Sequence, residues 1–421
     1  MNAEIICVGT ELLLGNQINT NAAFIAEKLS IIGIDCYHQC VVGDNMKRLT
    51  EQLSVSSKRS DCIILSGGLG PTEDDMTKEA VSEFLGLPLV EDKASRKAIE
   101  DFFEKRGRKP TENNWKQALV PKGAKAVANP NGTAPGIIAE TKGCKYILLP
   151  GPPAELEPMM DDSIVPYLQS LSGSSLFSKT VKIVGVGESS IETQIKDLID
   201  SQTNPTIATY AKTGEVHVRV TASASDEKEA RKLVKPVVKE LKARFSDNIY
   251  TTEDDVTLER SIINLLAGNK MTISTVESCT GGLLSARIVN ESGASDVLKC
   301  GLITYSNKSK RRLVGVKKGT LEKYGAVSKQ VATEMCKGGA ALTKSDVCVS
   351  VTGIAGPTGG TEEKPVGLVY IGCNVKGKVK VKEYRFSGSR NIIRSLSVTN
   401  ALILARECIL EYISKVQFGD K

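Results

Sequence analysis

Residues 271–288 read MTISTVESCTGGLLSARI. Met271 to Val276 is a short apolar run rich in β-branched residues, and it predicts a buried strand. Ser278 follows at once, and Gly281 and Gly282 open an apolar stretch through Ala286 and Ile288 that predicts a helix. Strand, glycine turn and helix make up the unit from which α/β sheets are built. The unit recurs along the chain. Ile5–Val8 precedes GTELLLG and a helical face of Ile18, Ala22, Ile25, Leu29 and Ile32, closed by Gly33. Cys62–Leu65 precedes SGGLGPTEDD, Tyr146–Leu149 precedes PGPPAELEPMM, and Val347–Val351 precedes TGIAGPTGGTEEKPVG.

The chain has 421 residues, 41% hydrophobic and 25% charged. That length exceeds one ordinary core and predicts more than one domain. Residues 1–168 form the first, with a mostly parallel sheet covered by helices. Ser170 to Ser175 has a linker's composition. Residues 176–252 form a small α+β module. Within it KTVKIVGVG is a strand, SSIETQIKDLID a helix, EVHVRVTAS a half-exposed strand, and DEKEARKLVKPVVKELKARF a helix with Pro236 as a kink. Residues 256–417 return to the α/β pattern, with a helix at Leu258–Leu266, further strands at Leu302–Tyr305 and Val366–Cys373, and a last helix from near Arg390 to Tyr412. Its strand order is not legible.

Composition narrows the chemistry. The two histidines, His38 and His217, lie outside any metal-ligand or nucleophile motif. This argues against a histidine-rich zinc site and against a Ser-His-Asp triad. Hydrolysis would then fall to Lys, Tyr, carboxylates or a carboxylate-bound metal. The eleven cysteines include no CxxC pair and read as small buried hydrophobes of a reducing compartment. The net charge of +6 is dispersed apart from clusters such as Lys308, Lys310, Arg311 and Arg312, and it reads as a solvated surface rather than a nucleic-acid site. The opening MNAEIICVGT has no signal-peptide pattern, and no apolar run is long enough to span a bilayer. The expectation is a cytoplasmic protein with no membrane contact.

Ser278 sits where a strand hands over to a helix. Backbone N–H groups near Thr280, Gly281 and Gly282 point outward there and suit an oxyanion. The plain alternative is a helix cap or a tight turn. With no histidine nearby, a lysine is the base, and Lys308 and Lys310 in YSNKSKRR are both candidates. Burial would bring such an amine toward neutrality, and Tyr305 could relay a proton or orient it. The glycine-rich loop from Gly353 through Ala355 to Gly356 suits an anionic group, or is a long surface turn. Arg390 and Arg394, at the start of the last helix, suit a phosphate or a solvated face. In the first domain, Gly67, Gly68 and Gly70 allow close approach to a ligand. Asp74 and Asp75 follow at a helix start, either as dipole-stabilised carboxylates or as ligands of a divalent cation bridging phosphates.

At these residues a family resemblance emerges. ESCTGG, TYSNKSK, SVTGIAGPTGGTEEKPVGLVYIG and FSGSR resemble the nicotinamide-nucleotide amidase domain of the CinA (competence/damage-inducible protein A) family. The resemblance implies hydrolysis of the carboxamide of nicotinamide mononucleotide without a cofactor. It implies Ser278 as nucleophile and Lys310 as base, with Tyr305 nearby; Lys308 falls on a variable position of the family pattern. The substrate phosphate would give Arg390 and the Gly353–Gly356 loop a ligand. GTELLLGNQINTNAAFIAEKL, SGGLGPTEDDMTKEA and LLPGPPAEL resemble the family's N-terminal half, which has the fold of molybdopterin-binding proteins. That half implies a pyrophosphatase cleaving ADP-ribose to AMP and ribose 5-phosphate with a divalent metal ion (Mg, Mn or Co). Glu11, Asp74, Asp75 and Lys78 match its motif positions; the acids would hold metal or activate water, and Lys78 would neutralise phosphate.

The middle module resembles the KH-like domain between these halves. KH domains that bind nucleic acid use a GxxG loop. Gly185 and Gly187 in GVGES do not form one, which favours a spacer or dimerisation role, and a homodimer is implied by the resemblance. The joint reading is a bifunctional enzyme of pyridine-nucleotide salvage. The alternatives are an N-terminal domain that binds a pterin or nucleotide without hydrolysis, and a non-enzymatic partner in competence or DNA repair.

Overall fold

The computed structural model describes residues 1–141, 143–171 and 175–418. The chain packs as two compact units, one of Met1–Phe177 with Ser223–Arg231, the other of Ser178–Ala222 with Lys232–Lys421.

In the first unit the strands are β1 (Asn2–Val8), β2 (Asp35–Val42), β3 (Cys62–Ser66), β4 (Leu89–Glu91), β5 (Leu119–Pro121), β6 (Lys125–Val127), β7 (Gly136–Thr141) and β8 (Cys144–Leu149). β4 pairs with β5 apart from the rest, and the main sheet has the order β2-β1-β3-β8-β7-β6. β1, β2, β3 and β8 are parallel. β7 and β6 run antiparallel, so the sheet is mostly parallel, as expected, with an antiparallel edge that makes it mixed. The reason is local: only two residues separate β7 from β8, and a connection that short reverses the chain. β1 and β3 are buried on both faces, as central strands between helical layers must be. The helix Thr20–Ile31 is capped by the Asn19 side chain, which accepts from the Ala22 N–H at 3.1 Å, and it buries Ala22, Ile25 and Leu29. Ile18 precedes that helix and is 88% exposed, so it does not belong to the apolar face. Residues 172–174 of the expected linker lie outside the described residues.

The next sheet, most of whose residues fall in the second unit, has β9 (Ser175–Val184), β10 (Thr206–Lys212), β11 (Glu215–Ala224) and β12 (Ile249–Thr251), in the order β10-β11-β9-β12. The helix Glu227–Phe245 carries Pro236 inside it. Next come β13 (Ile273–Glu277), β14 (Leu298–Ile303), β15 (Val347–Gly353), β16 (Leu368–Val375) and β17 (Lys378–Arg385), in the order β14-β13-β15-β16-β17. β14, β13 and β15 are parallel, while β16 and β17 return antiparallel. The turn between β16 and β17 is Lys376-Gly377, both at positive φ, the two-residue geometry that matches strand twist. β14 ends at Ile303 rather than continuing to Tyr305 as its apolar run suggested. The long helix Arg390–Phe418 covers the sheet, and its Ile393, Leu402, Leu404 and Ile409 join the core with Val349 and Ile371. From β13 the chain crosses first to β14 on one side and later to β15 on the other. This reversal opens a crevice at the carboxyl ends of the parallel strands.

Candidate active site

Three loops converge on that crevice from the carboxyl ends of β13, β14 and β15. Ser278 is the first residue after β13, and its N–H donates to the Val351 carbonyl at 2.9 Å, which prolongs the parallel ladder by one step. The Thr304 N–H donates to the Glu277 carbonyl at 2.7 Å and locks the β14 loop beside it. Asn307–Val314 is then a helix, capped by Ser306 and Ser309 in a reciprocal capping box. It carries Lys310 inward, 1% exposed, while Lys308 on the same helix stays exposed.

The Lys310 Nζ donates to Ser278 Oγ at 2.9 Å, to the Thr304 carbonyl at 2.8 Å and to the Tyr305 carbonyl at 3.3 Å. Among the described residues no carboxylate pairs with it, and burial pushes its pKa down from 10.5 to about 8. A serine hydroxyl therefore meets an amine whose neutral fraction is minor at neutral pH and becomes the major one above about pH 8. Burial pushes the neighbouring Cys279 thiol up to about 11, so it stays protonated and does not compete as a nucleophile.

Glu277 was not singled out from the sequence. Its carboxylate is fully buried and accepts from the N–H groups of Gly282 (2.9 Å), Leu284 (3.0 Å) and Ser285 (2.9 Å) and from the Ser285 hydroxyl (2.7 Å). It caps the helix Leu283–Val289 from the strand side. The expected oxyanion donors change as a result. The Gly282 N–H is taken by Glu277, and the Gly281 N–H donates to the Ser278 carbonyl at 3.1 Å. Of the three, Thr280 keeps its N–H without a partner among the described residues, and its buried hydroxyl is likewise unpartnered. Gly281 and Gly282, at φ 61° and 99°, serve the turn rather than the ligand.

Tyr305 and Arg394 are placed differently from expectation, while Arg390 lies against the β15 loop as the reading implied. The Tyr305 side chain is 63% exposed, and its hydroxyl accepts from Arg390 Nη2 at 3.5 Å. Tyr305 orients Lys310 through its main-chain carbonyl and not through the phenol. Arg390 also donates to the Gly356 carbonyl at 2.7 Å, so the structure brings Tyr305, Arg390 and the β15 loop together. Arg394 donates to the carbonyls of Cys279 (3.1 Å) and Thr280 (2.8 Å) and holds the serine loop in place. In the β15 loop, Gly353 packs so closely that an added Cβ would lie 2.9 Å from the Leu368 carbonyl. Gly356 has φ 72°, and a Cβ there would lie 2.5 Å from Val366. Packing within the chain explains both glycines, and Ala355 between them is buried.

In the first unit Gly67, at φ 104°, closes the end of β3 onto β1, where a Cβ would meet the Val8 carbonyl at 2.2 Å. Gly68 accepts the Thr77 N–H at 3.1 Å, and Gly70 abuts the Asp75 carboxylate. The Thr72 hydroxyl donates to Asp74 and, at 2.5 Å, to Asp75. Lys78 is buried, and desolvation lowers its pKa to about 8. Its Nζ donates to the Lys116 carbonyl, while Lys116 Nζ donates to the Thr72 carbonyl at 2.9 Å. Glu11 is exposed with its carboxylate against Gly9, and among the described residues it shares no hydrogen bond or ion pair with Asp74, Asp75 or Lys78. Among the described residues no group of three or more His, Cys, Asp or Glu gathers as a metal site. Nor is any helix long and apolar enough to cross a membrane.

Fold and site together define a multidomain α/β protein with a buried serine–lysine pair. Residues 255–409 match the CinA C-terminal domain, residues 4–170 a probable molybdopterin binding domain, and residues 178–251 the damage-inducible protein CinA KH domain. A Clostridium beijerinckii protein named "Putative competence-damage inducible protein" is 49% identical over 411 residues, spanning 98% of this chain and 100% of its own. A Clostridium tetani protein of the same name is 50% identical, spanning 97% and 100%. Among solved structures, competence/damage inducible protein CihA from Agrobacterium tumefaciens is 40% identical over 36% of this chain and 93% of that one, with a TM-score of 0.35. The protein CinA from Thermoplasma acidophilum is 38% identical over 38% and 94%, with a TM-score of 0.36. The chain belongs to the CinA family. Its domains support a function on nucleotides.

Proposed function

We propose that the second unit is an amidohydrolase acting on the carboxamide of nicotinamide mononucleotide, releasing ammonia and nicotinic acid mononucleotide. One observation carries the chemistry: the buried Lys310 amine lies 2.9 Å from the Ser278 hydroxyl. The substrate rests on the family resemblance. Neutral Lys310 takes the Ser278 proton as Oγ attacks the carboxamide carbon. The ammonium then gives that proton to the departing nitrogen, leaving an acyl-serine and ammonia. Water attacks the acyl carbon with Lys310 again as base, and the proton returns to Ser278 as the carboxylate leaves. The unpartnered Thr280 N–H is the donor left for the oxyanion. Arg390 supplies charge for the substrate phosphate. The test is ammonia release from nicotinamide mononucleotide by the full chain beside Ser278→Ala. Release that persists in the variant overturns the nucleophile; none from the wild type overturns the activity.

A second reading concerns the first unit, metal-dependent cleavage of ADP-ribose to AMP and ribose 5-phosphate. The buried Lys78 amine, beside the loop containing Gly67, Gly68 and Gly70, favours it. Asp74 and Asp75 fit a hard divalent cation that completes its shell with phosphate oxygens and water, since two carboxylates suffice for Mg²⁺ bound that way. Such an ion would polarise the pyrophosphate. Lys78 would offset phosphate charge, and Thr72 fixes both carboxylates. AMP formation that needs added metal and falls in Asp75→Asn supports this reading. AMP formation indifferent to both refutes it.

A further inference from the structure

The helix that carries Lys310 inward presents an opposite face of a single charge sign. Lys308, Arg311, Arg312, Lys317 and Lys318 surround Val316 in a hollow of about 510 Å³. A second hollow of about 840 Å³ shares Lys317 and adds Lys329 and Lys337. Both lie within the size range of small-molecule sites. Where the two meet, the Asn307–Val314 helix end touches the Lys329–Thr343 helix at Gly338. A Cβ on Gly338 would lie 1.8 Å from the Val314 carbonyl, so this ground is fixed backbone rather than loose surface.

Few of these charges are answered inside the protein. Lys318 pairs with Glu322 at 3.4 Å. Glu334, the acid in the second hollow, accepts from the Lys317 main-chain N–H at 2.9 Å and the Thr320 hydroxyl at 2.8 Å. The side chains of Lys308, Arg311, Arg312, Lys317, Lys329 and Lys337 have no hydrogen bond or ion pair among the described residues. Helix electrostatics accounts for Arg311 and Arg312, which lie in the last turn of their helix. It does not account for the lysines. Lys317 and Lys318 begin the helix Lys318–Tyr324, and Lys329 begins the helix Lys329–Thr343. A cation at a helix start opposes the dipole. Lys317 and Lys329 break this rule with no side-chain partner among the described residues, and Lys318 breaks it with only its Glu322 pair in return; gathered on one surface, they mark a binding requirement.

We propose that the paired hollows bind an anion of linked phosphates, either inorganic polyphosphate or the phosphate tail of a nucleoside triphosphate. Two joined basic hollows suit a chain of charges better than one phosphate. Neither hollow has an aromatic residue in its lining, so nothing stacks a base as single-stranded nucleic-acid sites do. Recognition reads phosphate through cations with aliphatic stems.

The test is calorimetry on the full chain at low salt with EDTA, using tripolyphosphate, ATP, orthophosphate and an oligothymidylate. It compares wild type with Arg311→Gln/Arg312→Gln/Lys317→Gln and with Lys329→Gln/Lys337→Gln, each checked by thermal unfolding. Tripolyphosphate should bind the wild type and bind each folded variant at least about tenfold more weakly, as lost charge-assisted contacts require. Equal affinity for ATP and tripolyphosphate assigns the site to the phosphate chain alone, and tighter ATP assigns it to a nucleoside triphosphate. Absent wild-type binding, affinity unchanged in a folded variant, or tighter binding of the oligothymidylate would each overturn the proposal.

Discussion

Lys310 and Lys78 are the same amine in two settings. Each is almost wholly buried, and each has its pKa pushed down to about 8 by desolvation. Lys310 aims at the Ser278 hydroxyl, a group that can lose a proton and attack. Lys78 aims at the Lys116 carbonyl, which can do neither. Burial prepares an amine; the atom it faces decides the chemistry. A lowered lysine pKa alone therefore marks a candidate, and only Lys310 faces a hydroxyl with which it could form a nucleophile–base pair.

The contrast is broken most directly by substitution. Lys310→Met should lower amidase turnover by roughly a thousandfold, the middle of the range for removing a general base. Lys78→Met should leave ammonia release unchanged. A comparable amidase loss from both, measured side by side, would mean that burial matters and partner does not. Next in size is the effect of pH. Only neutral Lys310 accepts a proton, so kcat/KM for ammonia release should rise through about pH 8 and level off above it. A rate flat between pH 6.5 and 9.5 would remove Lys310 as the base.

Glu277→Gln comes third. It replaces an acceptor-only group with one that presents N–H to the donors of Gly282, Leu284 and Ser285, and should cost about 1–3 kcal/mol of stability. Denaturant titration would show it, and a stability change near zero would deny the carboxylate its capping role. The smallest effect is one the two lysines share. Each binds a proton more readily in the unfolded chain, near the ordinary 10.5, than in the fold. Between about pH 8 and 10.5 the unfolded state holds more protons, so each amine makes stability rise with pH there. Lys78→Met and Lys310→Met should each flatten that rise.

Ser278 and Lys310 were legible because a strand-to-helix serine with no histidine left a lysine as base, and the family motif chose between two lysines. The parallel core strands were legible from their apolar runs. β10, β12 and β17 were not, since short or half-exposed strands such as Lys378–Arg385, with five charged residues, carry little apolar signal. Glu277 escaped notice because its burial depends on the glycine turn folding back over it; an acid just before a glycine-opened helix was the available clue. Tyr305 was misjudged because sequence shows a side chain, whereas here the main-chain carbonyl does the orienting. Gly353 and Gly356 looked like ligand-binding glycines, and only coordinates show the neighbours that exclude a side chain.

The contact between Gly338 and the Val314 carbonyl sets a limit on how this protein can drift. No side chain of any kind fits at Gly338 without parting the two helices. A substitution there would displace the segment bearing Lys310 from a distance, and lineages carrying one would lose the serine's partner while every residue of the dyad stayed intact.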